Sequence, residues 1–212
     1  MQTHLILSAA SAIQDTILAH ELELESLDRA IGDGDHYINM KRGANTIVDM
    51  QTELAGLCPE AALQKIGMKL LSTIGGASGP LLASFFMSMA KSLKENGDDT
   101  TLKIASAFAS GVDAIRLRGK ADIGEKTMLD VLIPVANRFK SLAEENADFV
   151  QICNALTLTA GQGVLATKDL IATKGRAAGL GERAIGHIDP GAKSCQLMIA
   201  AVCKLLLETQ NT

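Results

Sequence analysis

The sequence contains no tryptophan and one tyrosine, and aromatic side chains make up only 3% of its 212 residues. A protein that stacks unpaired bases needs several aromatic rings on one surface. Lysine and arginine form no run, and the formal net charge is −4. These absences argue against nucleic acid as a direct partner, because phosphate backbones are bound by basic patches.

The sequence gives no reason to expect a secretory leader or a membrane span. The first twenty residues lack the positive charge that begins a signal peptide, and Gln14, Asp15 and His20 interrupt them. No continuous apolar run reaches the ~18 residues that a spanning helix needs. We therefore expect a cytoplasmic protein that does not use a membrane.

The cysteines form no C-x-x-C pair and are scattered at Cys58, Cys153, Cys195 and Cys203. We expect reduced thiols in the core, as is usual in the cytosol. A zinc site is a poor alternative, because no paired histidine and cysteine spacing accompanies them.

Apolar residues recur at intervals of three and four along almost the whole chain, which predicts helices. The N-terminal stripe runs from Leu5 to Ile17, and the next from Met40 to Leu54. No alternating strand pattern is present. We therefore expect one all-α domain over 1–212, an eight-helix up-and-down antiparallel bundle or closed barrel whose last helix is central. The remaining helices are predicted at 59–74, 80–95, 100–117, 127–144, 147–172 and 191–208.

Glycines cluster in four gaps between these helices, at 32–36, 75–80, 118–127 and 174–194. The last gap is too long for a simple helix hairpin, and long irregular connections usually carry function. If alternate helices run in the same direction, the loops that follow them share one rim. The helix count therefore predicts that the four loops meet at one end of the domain.

The first loop, within "LDRAIGDGDH", crowds three carboxylates, Asp28, Asp33 and Asp35. An EF-hand counted from Asp33 fails, because Ile38 and Ala44 stand where glycine and glutamate are needed. Hard oxygen ligands suit Mg²⁺, and three carboxylates are enough to bridge two such ions. The alternative is that Asp33 and Asp35 are turn and N-cap residues, which explains one aspartate but not three.

The second and third loops have simple alternatives too. In "GGASGP" a helix N-terminus built from small residues offers backbone N–H groups to phosphate, whereas Gly75 alone is a helix C-cap. In "GKADIGEKT" the Gly119-x₄-Gly124 spacing mimics a P-loop, but Glu125 intrudes before Lys126 and no strand precedes it. The P-loop interpretation is therefore rejected. Met128 contacts a flat apolar group or simply fills the core.

The fourth loop offers Arg176, Arg183, His187 and Asp189. An arginine in such a loop neutralises phosphate charge during transfer, whereas the alternative is an ordinary surface arginine. Asp189 and Pro190 also fit the N-cap and first residue of the last helix. Together the four loops suggest a phosphorylated ligand held through Mg²⁺.

These stretches resemble the nucleotide-binding L subunits of dihydroxyacetone kinases along essentially the whole chain. The resemblance implies an eight-helix barrel with the nucleotide at one rim, and "GERAIGHIDPGA" is similar to the type that depends on the phosphoenolpyruvate phosphotransferase system. The stretches that carry it are "LDRAIGDGDH" with "NMKRG", "GGASGP", "RGKADIGEKTM" and "GRAAGLGERAIGHIDPGA".

The resemblance also implies ligands and partners. Asp28, Asp33 and Asp35 would hold two Mg²⁺ ions, and bound ADP would be a retained cofactor. A phosphohistidine on an M subunit would convert it to ATP, which would phosphorylate dihydroxyacetone held covalently by a K subunit. This chain would supply positioning and charge neutralisation, since no nucleophile-and-base arrangement is expected in it. The implied nucleotide contacts are His36, Tyr37, Ile38, Asn39, Ala77, Ser78, Gly119, Met128, Arg176, Asp189, Pro190 and Gly191.

Two positions depart from the family pattern. Tyr37 stands where a small residue is usual, and Gly179 where a tyrosine is common. Two alternatives stay open: a nucleotide-sensing regulator that docks on a transcription factor, and a kinase subunit acting on another short ketose. A homodimer stays open as well.

Overall fold

The computed structural model of the chain describes residues 2–95 and 100–209. Helices dominate this part of the chain and no strand occurs in it, which confirms the all-α prediction. Short 3₁₀ segments occur at Thr167–Asp169 and Arg176–Ala184. The helices are α1 (Thr3–Ala19), α2 (Glu21–Ile31), α3 (His36–Asp49), α4 (Gln51–Leu54), α5 (Pro59–Thr73), α6 (Ser78–Glu95), α7 (Thr101–Gly119), α8 (Leu129–Glu144), α9 (Phe149–Ala166) and α10 (Pro190–Thr209).

Eight of these helices form a closed cycle of packing contacts. The cycle runs from α1 through α3, α5, α6, α7, α8 and α9 to α10, and α10 packs back on α1. The helix α10 also touches α8, α2 and α3, but it is one of the eight members of the cycle and not a helix at its centre. The largest core cluster joins α7, α8, α9 and α10, with Val131 and Ala160 fully buried.

Three helices differ from the sequence prediction. The stripe from Met40 to Leu54 is divided at Met50 between α3 and α4. A separate helix, α2, begins just after His20, whose ring nitrogen Nδ1 lies 2.8 Å from the carbonyl oxygen of Thr16 and takes up a helical acceptor. The helix α9 ends at Ala166, not at residue 172, because the chain tightens into a 3₁₀ turn in which the Thr167 hydroxyl donates to the carbonyl of Val164.

The structure bears on two expectations about composition and overturns one of them, the placement of Cys58 in the core. The helices over 149–169 and Pro190–Thr209 are long and apolar enough to cross a membrane by length and composition, although core helices pass the same test. Both are members of the closed cycle of helices. Cysteines 153, 195 and 203 are buried as expected, but Cys58 is exposed because it lies at the N-cap position of α5, outside the core.

Candidate functional site

A cavity of about 530 Å³ lies where the four glycine-rich loops meet. Each of the four stretches contributes to its wall, which confirms the prediction that they gather in one place. Every site residue predicted from the sequence lines this cavity except Tyr37 and Ile38. The lining members of that set are Asp28, Asp33, Asp35, His36, Asn39, Ala77, Ser78, Gly119, Met128, Arg176, Asp189, Pro190 and Gly191.

The three aspartates form a compact acidic cluster at one side of the cavity. One carboxylate oxygen from each of Asp28, Asp33 and Asp35 lies within 4.8 Å of the other two. Asp28 is buried in the last turn of α2, whereas the other two are exposed in the turn before α3. All the donors are hard oxygens, and oxygens bound to one Mg²⁺ lie up to about 4 Å apart. The donor type therefore suits a divalent cation, although a spacing of up to 4.8 Å is slightly wider than the shell of one Mg²⁺ ion.

The turn that carries this cluster depends on Gly32. A Cβ atom at Gly32 would lie 1.8 Å from Oδ1 of Asp28, so a larger residue would displace that carboxylate. Its other oxygen, Oδ2, accepts a hydrogen bond from the backbone N–H of His36 at 3.0 Å. Asp28 thus caps α3 from a distance, while Asp35, at the N-cap position itself, makes no side-chain capping bond. Local capping therefore does not account for Asp35.

Arg176 reaches the same cluster from the fourth loop. Its Nε atom lies 2.7 Å from Oδ2 of Asp33, and its side chain is 67% exposed. The sequence interval between these two residues is long, so the long loop folds back over the first one. Arg176 is in this way placed beside the acidic cluster at the mouth of the cavity, where an anionic group bound by a cation would lie.

His36 connects the first loop to the start of α10. Its Nε2 atom lies 3.1 Å from Oγ of Ser194, a serine–histidine contact that the sequence did not predict. The Ser194 hydroxyl donates to the carbonyl of Gly191 at 3.0 Å, and Ser194 is only 1% exposed. It is therefore a buried linker and not a nucleophile. Burial lowers the pKa of His36, although Asp28 and Asp35 oppose that effect.

Asn39 supports the second loop from the first turn of α3. Its Oδ1 atom accepts from the backbone N–H of Gly75 at 3.3 Å, and the side chain is buried. The helix α6 then begins at Ser78, which lines the cavity, so the N–H groups of Ser78 and Gly79 have no helical acceptor there. A Cβ atom at Gly79 would lie 2.4 Å from the carbonyl oxygen of Ile74, so this tight entry needs glycine.

Asp189 caps α10 as expected, and Pro190 is the first helical residue. The Oδ2 atom of Asp189 accepts from the N–H of Ala192 at 2.6 Å. Burial raises the pKa of this carboxyl group to about 7, and the capping bond and nearby Lys126 only partly counter the effect. This carboxyl group lines the cavity, and near neutral pH it is protonated about half of the time.

Lys126 and Asp130 belong to the site although no sequence signal pointed to them. Lys126 is 1% exposed and lines the cavity, and its backbone has a left-handed φ of 60°. Burial lowers the pKa of its ammonium group, and carboxylates at Asp189, Asp169 and Asp130 oppose that shift. Asp130 shapes the loop itself, because its oxygens accept from two loop N–H groups at 2.6 and 2.7 Å.

Tyr37 and Ile38 do not turn their side chains to the cavity. Tyr37 is 2% exposed and packs in a core cluster with Ile17, Leu24 and Met40. Ile38 is 51% exposed. Both belong to the first turn of α3, so a contact with a ligand would come from their backbone N–H groups. Gly179 is exposed and lies outside the cavity wall.

Comparisons with known proteins agree on one family. The model of the DAK2 domain matches residues 30–204. The ADP-binding subunit DhaL of the PEP-dependent dihydroxyacetone kinase of Escherichia coli (strain K12) is 40% identical over 176 residues, covering 83% of this chain and 84% of that protein. The corresponding PTS-dependent subunit of Lactococcus lactis is 37% identical, with coverage of 91% and 92%.

A solved structure shows the same fold. The dihydroxyacetone kinase from C. freundii, in complex with AMP-PNP and Mg²⁺, superposes with a TM-score of 0.75 at 23% identity. The match covers 95% of this chain and 34% of that one. This chain therefore spans about a third of the solved kinase.

Proposed function

Since the chain belongs to the DAK2 domain family, together with the ADP-binding subunits of dihydroxyacetone kinases, we propose that it is the subunit that carries the nucleotide. A phosphoryl group would pass from the phosphohistidine of an M subunit, through nucleotide retained here, to dihydroxyacetone on a K subunit. The enzyme would work in the cytoplasm. The observation that carries this proposal is the meeting of four loops around one cavity with an acidic cluster at its side.

The proposed binding mode divides the cavity in two. Asp28, Asp33 and Asp35 would hold two Mg²⁺ ions, which neutralise and orient phosphate oxygens when bound. Half-buried Met128 gives the other side an apolar surface suited to adenine. The start of α6 at Ser78 offers backbone N–H groups to phosphate.

The cavity also carries positive charge suited to phosphoryl transfer. Arg118, Lys174 and Arg176 all line it, whereas the ammonium group of Lys126, which also lines it, is taken up by backbone carbonyls. Such groups stabilise the charge that spreads over phosphoryl oxygens in the transition state. The serine nearest His36 is buried and already donates its proton to a carbonyl. The proposed work of this chain is therefore positioning and charge neutralisation, with the sugar held by the partner.

Nucleotide retention is the first test. Protein purified with Mg²⁺ is expected to show, in native mass spectrometry, the added mass of ADP and two Mg²⁺ ions. A ligand at a thousandfold excess over its Kd stabilises the folded state by about 4 kcal/mol. EDTA is therefore expected to release ADP and to lower the melting temperature by several degrees. A protein that is empty, and whose melting ignores both EDTA and Mg²⁺ with ADP, would contradict the proposal.

Reconstitution is the second test. The isolated chain is expected to be inactive toward dihydroxyacetone and ATP. Activity is expected on adding the cognate K and M subunits with phosphoenolpyruvate and the phosphotransferase relay proteins. Steady turnover by the isolated chain would refute the division of labour, and turnover with another short ketose alone would correct the substrate. The regulator role and the homodimer stay predictions from the sequence.

A further inference from the structure

Lys126 carries two unfavourable features at once. Its side chain is 1% exposed, and its backbone has a φ of 60°, in the left-handed region. Lysine is almost never fully buried without partners, and a left-handed backbone in a residue other than glycine is costly. A buried lysine with a left-handed backbone persists only where contacts with the surrounding structure stabilise it.

Those contacts all lie on the segment between α9 and α10. The Nζ atom of Lys126 donates to the carbonyl oxygens of Thr167 and His187, both at 2.5 Å, and the carbonyl of Lys168 lies 3.5 Å away. The backbone N–H of Gly186 donates to that same carbonyl of Lys168 at 2.8 Å. One ammonium group therefore joins the two ends of the segment to the α7–α8 loop.

The segment has little apolar burial of its own. Its fully buried apolar side chains are three alanines, Ala172, Ala177 and Ala184, which pack with Ile31 of α2. Alanines bury little area, so they contribute little hydrophobic free energy. Polar contacts to the α7–α8 loop must then hold the segment in place. Among these contacts, the hydrogen bonds that Lys126 donates come from a buried side chain. The same segment carries Arg176, which reaches Asp33.

We infer that Lys126 is a positioning residue, whose buried ammonium group fixes the segment 167–189, and with it Arg176, against the loop that carries Met128. The spacing of the two cavity walls then depends on this one side chain. The part of the inference that concerns nucleotide rests on the function proposed above.

Hydrogen exchange of the nucleotide-free protein tests the mechanical part. In Lys126→Met the two carbonyls lose their donor, and amides of 170–187 are expected to exchange about tenfold faster or more. Amides of α5 and α6 are expected to be unchanged. Lys168→Met, which removes an exposed charge from the same segment, is the control and is expected to match the wild type. If Lys126→Met does not fold, Lys126→Gln, which keeps N–H donors but is shorter and uncharged, is expected to raise exchange of the same amides by a smaller factor than the methionine variant, and exchange equal to the wild type would overturn the inference.

Calorimetry of ADP binding in Mg²⁺ tests the connection to Arg176. Lys126→Met and Arg176→Met are each expected to weaken binding. If Lys126 acts through Arg176, both variants disturb the same contact with ADP. The fold-loss in ADP affinity of the double variant is then smaller, by about fivefold or more, than the product of the two single fold-losses. A purely structural role predicts independent losses.

Independent losses, or exchange that rises throughout the chain or not at all in 170–187, would overturn the inference. Failure of the wild type to bind ADP with Mg²⁺ would refute the proposed function instead. ADP binding by the wild type is measured without any variant, so this outcome is distinct from a failure of the inference. Hydrogen exchange of the nucleotide-free variants would then test the role of Lys126 on its own.

Discussion

Substitution of Asp33 by asparagine is expected to change stability in opposite directions with and without metal. The carboxylate oxygens of the cluster lie within 4.8 Å of one another. Two unit charges at that distance repel by about 0.9 kcal/mol in a water-like medium, which applies because Asp33 is well exposed. Asp33→Asn removes two such pairs, or about 2 kcal/mol. It also removes the exposed ion pair with Arg176, which contributes about 0–1 kcal/mol.

The balance predicts that, in EDTA, the variant is more stable than the wild type by about 1 kcal/mol, or about 2–4 °C in melting temperature. In Mg²⁺ and ADP the order is expected to reverse, because the wild type gains the binding free energy and the variant loses most of it. Differential scanning calorimetry in the two buffers measures both differences. Circular dichroism checks that the helices are retained.

Asp113→Asn is the matched control, since it removes one exposed carboxylate from α7, away from the cavity. It is expected to change melting little, and equally in both buffers. A variant at Asp33 that melts below the wild type in EDTA would show that this carboxylate is structural. An undiminished gain from Mg²⁺ and ADP would show that it is not a ligand. Either result would refute the reasoning.

Three further changes test other parts of the site. Gly32→Ala places a Cβ atom 1.8 Å from Oδ1 of Asp28, and is expected to weaken ADP binding at least about tenfold and stability by about 1–3 kcal/mol; calorimetry that shows neither loss would contradict the proposed fit. The Asp189 carboxyl group has a folded pKa of about 7, above its ordinary 3.8, so its contribution to stability is complete below pH 4 and is lost as the pH rises to 7, by about 4 kcal/mol. Asp189→Asn keeps the helix cap and is expected to lose that slope in urea unfolding across this range, whereas curves parallel to the wild type would contradict the assignment. Asp130→Ala leaves two loop N–H groups without their acceptor and is expected to lower the unfolding free energy by about 2–4 kcal/mol, with Asp130→Asn less affected; wild-type stability of the alanine variant in urea would show that the loop does not depend on it.

The sequence was most informative where the signal is local. Helical periodicity predicted most of the helices, and the acidic cluster was visible because its members lie within eight residues. The sequence predicted that the four loops meet because loops that follow alternate, same-direction helices share one end of a bundle. That prediction was confirmed even though α2 was not predicted. The helix α2 was missed although Leu24, Leu27 and Ile31 follow helical spacing, so a signal for it was present in the sequence.

The remaining features depend on contacts between distant parts of the chain. Lys126 meets carbonyl groups 41 and 61 residues away, and nothing in "GEKT" shows that a lysine there is buried. The pairing of Ser194 with His36 spans 158 residues. Whether a polar side chain is buried depends on how other elements pack around it. A short motif therefore shows which residue is present but not what surrounds it in the fold.

The closure of the helix cycle by α1 and α10 has a consequence for biosynthesis. The first helix leaves the ribosome 170 residues ahead of Pro190, the first residue of its final neighbour. At typical elongation rates this is a delay of about 10 to 30 s. During that time the surface of α1 that α10 will cover stays in contact with water or with a chaperone. The nascent chain is therefore expected to be prone to aggregation and sensitive to proteases until the last helix is synthesised. A ribosome stalled before Pro190 would carry a helix cycle that lacks α10.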